Sequence, residues 1–149
     1  ASPCIPLRKA NPVNDTFGCF IDGRPVPAAS GAASERTNPA TGAPLARVAD
    51  GGAAEIARAA TVARQAFASG GWSRARAAER ARVLLALAAK IREHEDELAL
   101  WETRNVGKAV GDARWEVGAA ARCFEYYAGL IPAFGGETLP VNNDGTGLT

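Results

Sequence analysis

The stretch TRNVGKAVGDARWEVGAAARCFEYYAGL, residues 103–130, reads as a helix end, a glycine turn and a long helix. Gly107 sits where a helix ends in a left-handed residue, and Lys108 follows where positive charge suits the carboxyl end of a helix dipole. At helical spacing, Val117, Ala121, Phe124, Ala128 and Ile131 fall on one stripe, and Trp115, Ala119, Cys123, Tyr126 and Leu130 fall on a nearly opposite one. Arg114, Glu116, Arg122 and Glu125 occupy the gaps. Two apolar stripes need cover on two sides, so the pattern predicts a helix wedged between layers. No apolar run approaches the roughly 18 residues that would span a bilayer.

Upstream of this helix, residues 95–106 read as another, opened by Glu95, Asp96 and Glu97 and anchored by Leu98 and Trp101. Residues 75–94 form a longer helix that Ser73 can cap, with Ala77, Ala81, Leu84, Ala88 and Ile91 as its buried face. Only a few residues around His94 join these two helices, which predicts antiparallel packing between them. A first helix over 53–68 begins at Asp50 or Gly52, carries Ile56, Ala60, Ala63 and Phe67 on one stripe, and ends at Gly70-Gly71.

Residues 17–26 read as a strand entering a hairpin at Asp22-Gly23. Pro25, Pro27 and the small residues 28–34 argue against a long second strand. An extended segment over 35–37 runs into turns at Asn38-Pro39 and Thr41-Gly42, and 45–49 returns. Residues 1–16 hold three prolines and no periodicity, which suits a flexible arm. At the other end Pro132 stops the helix, 137–141 reads as a strand, the turn falls at 142–145, and a last strand begins before Thr149. That hairpin would leave an unpaired edge, so the expectation is the first part of a longer protein.

The fold class is therefore α/β: a β-hairpin, four helices and a closing hairpin. A composition of 47% hydrophobic and 22% charged residues is that of an ordinary soluble domain, and a net charge of +1 gives no electrostatic reason to expect nucleic acid. The amino end has no apolar run of the signal-peptide kind, so a cytoplasmic location and no membrane partner are expected. Cys4, Cys19 and Cys123 are odd in number and lack metal-type spacing.

Several residue types invite a catalytic reading. Cys123 and Cys19 are more simply small apolar residues of a helix and a strand, and His94 a helix-end residue suited to the dipole. Glu93, Glu95, Asp96 and Glu97 are the solvated acids of a helix start, with no ligand-type spacing after them. Gly107 and Gly111 precede a helix, but no apolar strand leads into them as a dinucleotide fingerprint requires. No catalytic or cofactor-binding residue is assigned.

Gly107-Lys108, the helix after it, and Tyr126-Tyr127-Ala128-Gly129 followed by Gly136-Glu137-Thr138-Leu139-Pro140-Val141 resemble the amino-terminal part of the aldehyde dehydrogenase superfamily. Thr37-Asn38-Pro39-Ala40-Thr41-Gly42, Val48-Ala49-Asp50, Ala66-Phe67, Trp72 and Glu79-Arg80 occur in that family's order. The resemblance runs from about Phe20 to the last residue, and Phe124-Glu125-Tyr126-Tyr127-Ala128-Gly129-Leu130 is most similar to the betaine and amino-aldehyde branch.

The resemblance implies the amino-terminal part of a Rossmann-type NAD(P)-binding domain over 17–136, the start of an oligomerisation arm over 137–149, and an aldehyde substrate. It also implies NAD or NADP as cofactor and a homo-oligomer, dimer or tetramer. The family's nucleophilic cysteine, general-base glutamate and asparagine donor would lie downstream of Thr149, so these 149 residues alone are expected to be inactive. It places Trp115 and Ala119 on the wall of the aldehyde tunnel, with ordinary core as the plain alternative for Trp115. It places a weak monovalent cation site at backbone carbonyls of Arg36 or Thr37 and at Asn105, where the family carries an aspartate. A second class stays open, a non-catalytic helical interaction module that kept the helices and lost the chemistry.

Overall fold

The computed structural model describes residues 16–136, 138–140 and 146–148. The expected strand over 17–26 is divided between two sheets. β1 (Thr16–Phe17) runs parallel to β5 (Pro44–Ala49), whereas β2 (Cys19–Ile21) pairs antiparallel with β3 (Arg24–Val26). The break falls at Gly18 because the Val26 backbone passes so close that a Cβ there would lie 2.6 Å from its carbonyl oxygen. Thr16, assigned to the flexible arm, is instead a strand residue paired with Arg47, and the rest of that arm lies outside the described residues.

Asp22 and Gly23 have φ of 58° and 73°, the two-residue turn whose twist matches a hairpin. β4 (Ala33–Thr37) lies antiparallel to β5 and completes a sheet in the order β1-β5-β4. In the turn between them the Asn38 side-chain oxygen accepts the Ala40 N–H at 2.9 Å, and the Asn38 N–H donates to the Ala43 carbonyl at 2.9 Å.

α1 (Ala53–Ser69) is fastened by Glu55, whose carboxylate accepts the Gly52 N–H at 2.8 Å and the Ala29 N–H at 3.1 Å. The first bond satisfies a free donor at the helix start, and the second ties the helix to the loop after β3. The helix rests chiefly on β2. Its apolar stripe is real but faces solvent, with Ile56 67% and Phe67 71% exposed, because periodicity says nothing of what lies opposite.

α2 (Ala77–Glu93) starts later than expected, and Ser73 does not cap it. The Ser73 hydroxyl donates to the Phe67 carbonyl at 2.9 Å, serving the end of α1, while Glu79 reaches back to accept the Arg76 N–H at 3.1 Å. α3 (Glu95–Val106) follows after the single residue His94. The expected antiparallel pair does not form, because such a hairpin needs a loop of about 2–5 residues. α2 and α3 meet only near their junction, and both pack on α4 (Val110–Leu130).

After α4 a 3-10 turn (Ile131–Ala133) carries Pro132, and β6 (Thr138–Pro140) pairs antiparallel with β7 (Thr146–Leu148). Glu137, Val141 and the turn at 142–145 lie outside the described residues.

The seam between the helices is built from small residues. Ala88 of α2, Ala99 of α3 and Ala113, Gly118, Ala121 and Ala128 of α4 are buried, and among the described residues no large side chain is fully buried. The expected inner stripe of α4 holds, since Ala121 and Ala128 are buried and Val117, Phe124 and Ile131 partly so. Around the seam, Arg92 forks onto Glu125 at 3.0 and 2.9 Å and Arg114 meets Asp96 at 2.8 Å. Trp101 of α3 stands edge-on to Phe17 of β1 at 5.6 Å between centroids, joining the helices to the sheet.

Ala113 is fully buried, so Ala113→Leu should lower stability in urea titration by about 1–3 kcal/mol through overpacking, whereas leucine at the exposed Ala120 should be nearly neutral. Glu55 supplies a pH dependence, because the backbone N–H of Gly52 first, and that of Ala29 next, holds its carboxyl below the usual value of 4.5. A depressed folded-state pKa stabilises above the unfolded value and loses that contribution as pH falls through the folded one. Glu55→Gln should accordingly flatten the acid limb of the helical circular dichroism below about pH 4.5.

Candidate functional site

The second stripe of α4 has no cover among the described residues. Trp115 is 68% and Tyr126 66% exposed, Ala119 is half-buried, and Cys123 and Leu130 face solvent. Trp115 and Ala119, one turn apart, share this face. Cys123, expected as a small core residue, is exposed, with no core built over it among the described residues.

Arg122 lies in the gap at the edge of this stripe, next to Trp115 on the helix wheel. Its guanidinium carbon lies 6.0 Å from the Trp115 ring centroid. A spacing of seven residues is two turns and returns nearly to the same direction, and that is the sequence signal by which the pairing is found.

The other charges around the helix are turned to its neighbours. Glu125 is held by Arg92, and this hydrogen bond first, with Coulomb help from Arg92 and Arg122, keeps its carboxyl below the usual range. Lys108 links Glu102 of α3, at 3.0 Å, to Glu116 of α4, and these hydrogen bonds, Glu116 first, raise its ammonium above the usual lysine value. Arg122 has no carboxylate partner among the described residues.

Near the start of α4, Gly107 has φ of 77°, and its Cα hydrogen faces Pro39, whose Cγ would lie 3.1 Å from a Cβ. The Asn38-Pro39 turn and the end of α3 therefore fit only around glycine. Beside this contact Arg36 and Asn105 line a largely apolar cavity of about 340 Å³ with Phe17, Leu45 and Trp101. Thr37 does not line it. Of the residues proposed for a cation, Arg36 and Asn105 are thus brought to one pocket, and among the described residues no group of three or more histidine, cysteine, aspartate or glutamate side chains could hold a metal.

A feature not anticipated from sequence lies at the far end of α4. Trp72, Arg80, Tyr127, Leu130, Ile131 and Phe134 surround a cleft of about 460 Å³, in which the buried Arg80 Nε has no partner among the described residues. The adjacent Tyr126 and Tyr127 rings meet edge-on at 5.3 Å.

The residues present do not fit a nicotinamide dinucleotide. Among the described residues the parallel pair β1 and β5 is not joined by a strand–glycine turn–helix unit, and β1 is only two residues long. No described helix is long and apolar enough to cross a membrane.

Comparison with known proteins gives these features a context. The model of the "Aldehyde dehydrogenase family" matches residues 26–149. The chain is 40% identical over 134 residues to aminoaldehyde dehydrogenase 2 of Zea mays, covering 85% of this chain and 26% of that protein. It is 40% identical over 128 residues to betaine aldehyde dehydrogenase of Cereibacter sphaeroides, covering 84% and 26%. The crystal structure of an NAD-dependent aldehyde dehydrogenase from Sinorhizobium meliloti superimposes with a TM-score of 0.83 at 35% identity, over 91% of this chain and 27% of that one. The chain therefore spans about a quarter of the length of the relatives it matches.

Iodide and caesium quenching tests the charge at the exposed face. The fluorescence lost in Trp115→Phe should be quenched by iodide more than by caesium relative to free N-acetyltryptophanamide, and Arg122→Gln should remove that excess.

Proposed function

This chain belongs to the aldehyde dehydrogenase family, and from that premise we propose that it is the amino-terminal segment of an NAD(P)-dependent enzyme that oxidises an aldehyde to a carboxylic acid through a cysteine thioester. The observation that carries the reading is the uncovered stripe of α4, where Trp115 presents its ring one turn from the small Ala119. An exposed aromatic wall beside a small residue suits one side of an aldehyde passage, with the other side supplied by other parts of the enzyme.

The described residues build no pair of nucleophile and base and no dinucleotide cradle, so no chemical step is derived from them. Their part is to hold the wall. The alanine seam fixes α4 against α2 and α3, and the Glu102–Lys108–Glu116 link fixes where α4 begins. The β6–β7 hairpin is the start of the oligomerisation arm in this reading, and the assembly is a cytoplasmic homo-oligomer. Carbonyls of Arg36 or Thr37 with Asn105 make a monovalent cation site weakened by the carboxamide.

The test is aldehyde-dependent NAD(P)H formation by the natural polypeptide that contains this chain, beside the 149-residue chain itself. Activity in the former and none in the latter is expected. In the active form, Trp115→Ala should raise KM for an apolar aldehyde about tenfold with kcat little changed, as loss of uniform binding does. A natural polypeptide without activity toward any aldehyde would overturn the reading and favour a helical interaction module.

A further inference from the structure

We propose that Arg122 sets the charge preference of the α4 face, so that it receives aldehydes carrying an anionic group, a carboxylate above all, and disfavours those carrying a quaternary ammonium. The inference rests on the reading of the Trp115 and Ala119 face as a substrate wall. A bare aromatic wall would draw a cationic aldehyde onto the negative face of its ring. Here the chain's own guanidinium, 6.0 Å from the Trp115 centroid, already occupies that position. A ligand ammonium seated there meets like charge as well as a taken ring.

The surrounding charges reinforce the effect. Glu116 is engaged by Lys108 and Glu125 by both nitrogens of Arg92, while Arg114 is paired with Asp96. Glu125 is the carboxylate that feels Arg122, and it remains forked onto α2 rather than turned to the stripe. Trp115, Ala119, Cys123 and Tyr126 carry no acid, and the acid at this angle of the helix is the exposed Asp112 in its first turn, two and a half turns or more before Arg122. Arg122 is left as a planar donor without a carboxylate partner among the described residues, beside a small residue and above an exposed indole. That arrangement matches a carboxylate, which takes two parallel hydrogen bonds from a guanidinium.

The experiment compares kcat/KM of the natural enzyme for three short aldehydes: 4-oxobutanoate, butanal and trimethylammonioacetaldehyde. The anionic aldehyde should exceed the cationic one by about tenfold at low salt, and less at high salt. Arg122→Gln should bring the two within about threefold of each other, and Arg122→Lys, which keeps the charge but not the planar fork, should keep only part of the preference. A native preference for the cation, a ratio unmoved by Arg122→Gln, or loss of butanal turnover in Arg122→Gln with its circular dichroism intact would each overturn the assignment and leave the dehydrogenase reading standing. A native polypeptide without activity toward these or any other aldehyde would instead remove the reading on which the assignment rests.

Discussion

The closeness of three helices governs this structure. Where α4 meets α2 and α3, the buried side chains are alanines, and Gly118 has no side chain at all. Backbones that approach so near leave no room for leucine or phenylalanine between them, so the large apolar residues are displaced to the outer faces. Leu85 and Leu87 of α2 and Trp115 and Tyr126 of α4 lie on those outer faces and are exposed. An alanine seam contributes little apolar area per residue, and it fixes position more than it supplies stability.

Polar contacts then lock the register of the seam. Arg92 with Glu125, Asp96 with Arg114, and Lys108 between Glu102 and Glu116 stand at successive levels along α4. Each is open to water and individually weak. Collectively they draw Glu116 and Glu125 away from its outer face, so beyond Asp112 in the first turn that face is aromatic, edged by an arginine with no carboxylate partner among the described residues. Structural ion pairing on one side of the helix thus determines the electrostatics on the other.

Much of this was legible in the sequence. The four helices, the Asp22-Gly23 turn, the left-handed Gly107 and the two stripes of α4 all follow from period and turn chemistry, because those signals are local. The split of the first strand at Gly18 was not legible, since it depends on where the Val26 backbone passes. Ser73 was misread because its hydroxyl satisfies the carbonyl of Phe67 behind it rather than the helix ahead, and either use is chemically available to serine. At the site, Trp115 and Ala119 were singled out by family likeness rather than by spacing. Arg122 was assigned to a gap, where it lies, but its reach to Trp115 seven residues earlier was not read, and the cleft around Arg80 needs residues from α2, α4 and the 3-10 turn at once.

The parallel pairing of β1 with β5 bears on the order in which the chain assembles. The β2–β3 and β4–β5 pairs join neighbours in sequence and close over short turns. Thr16 and Phe17, in contrast, reach Arg47 and Val48 across a loop of about 30 residues and gain two residue pairs among the described residues by doing so. The entropy of that closure precedes its small reward, so β1 docks once the β4–β5 hairpin and α3 are in place. Phe17 then seats against Trp101, and this one ring contact acts as a late latch between two regions that have already folded.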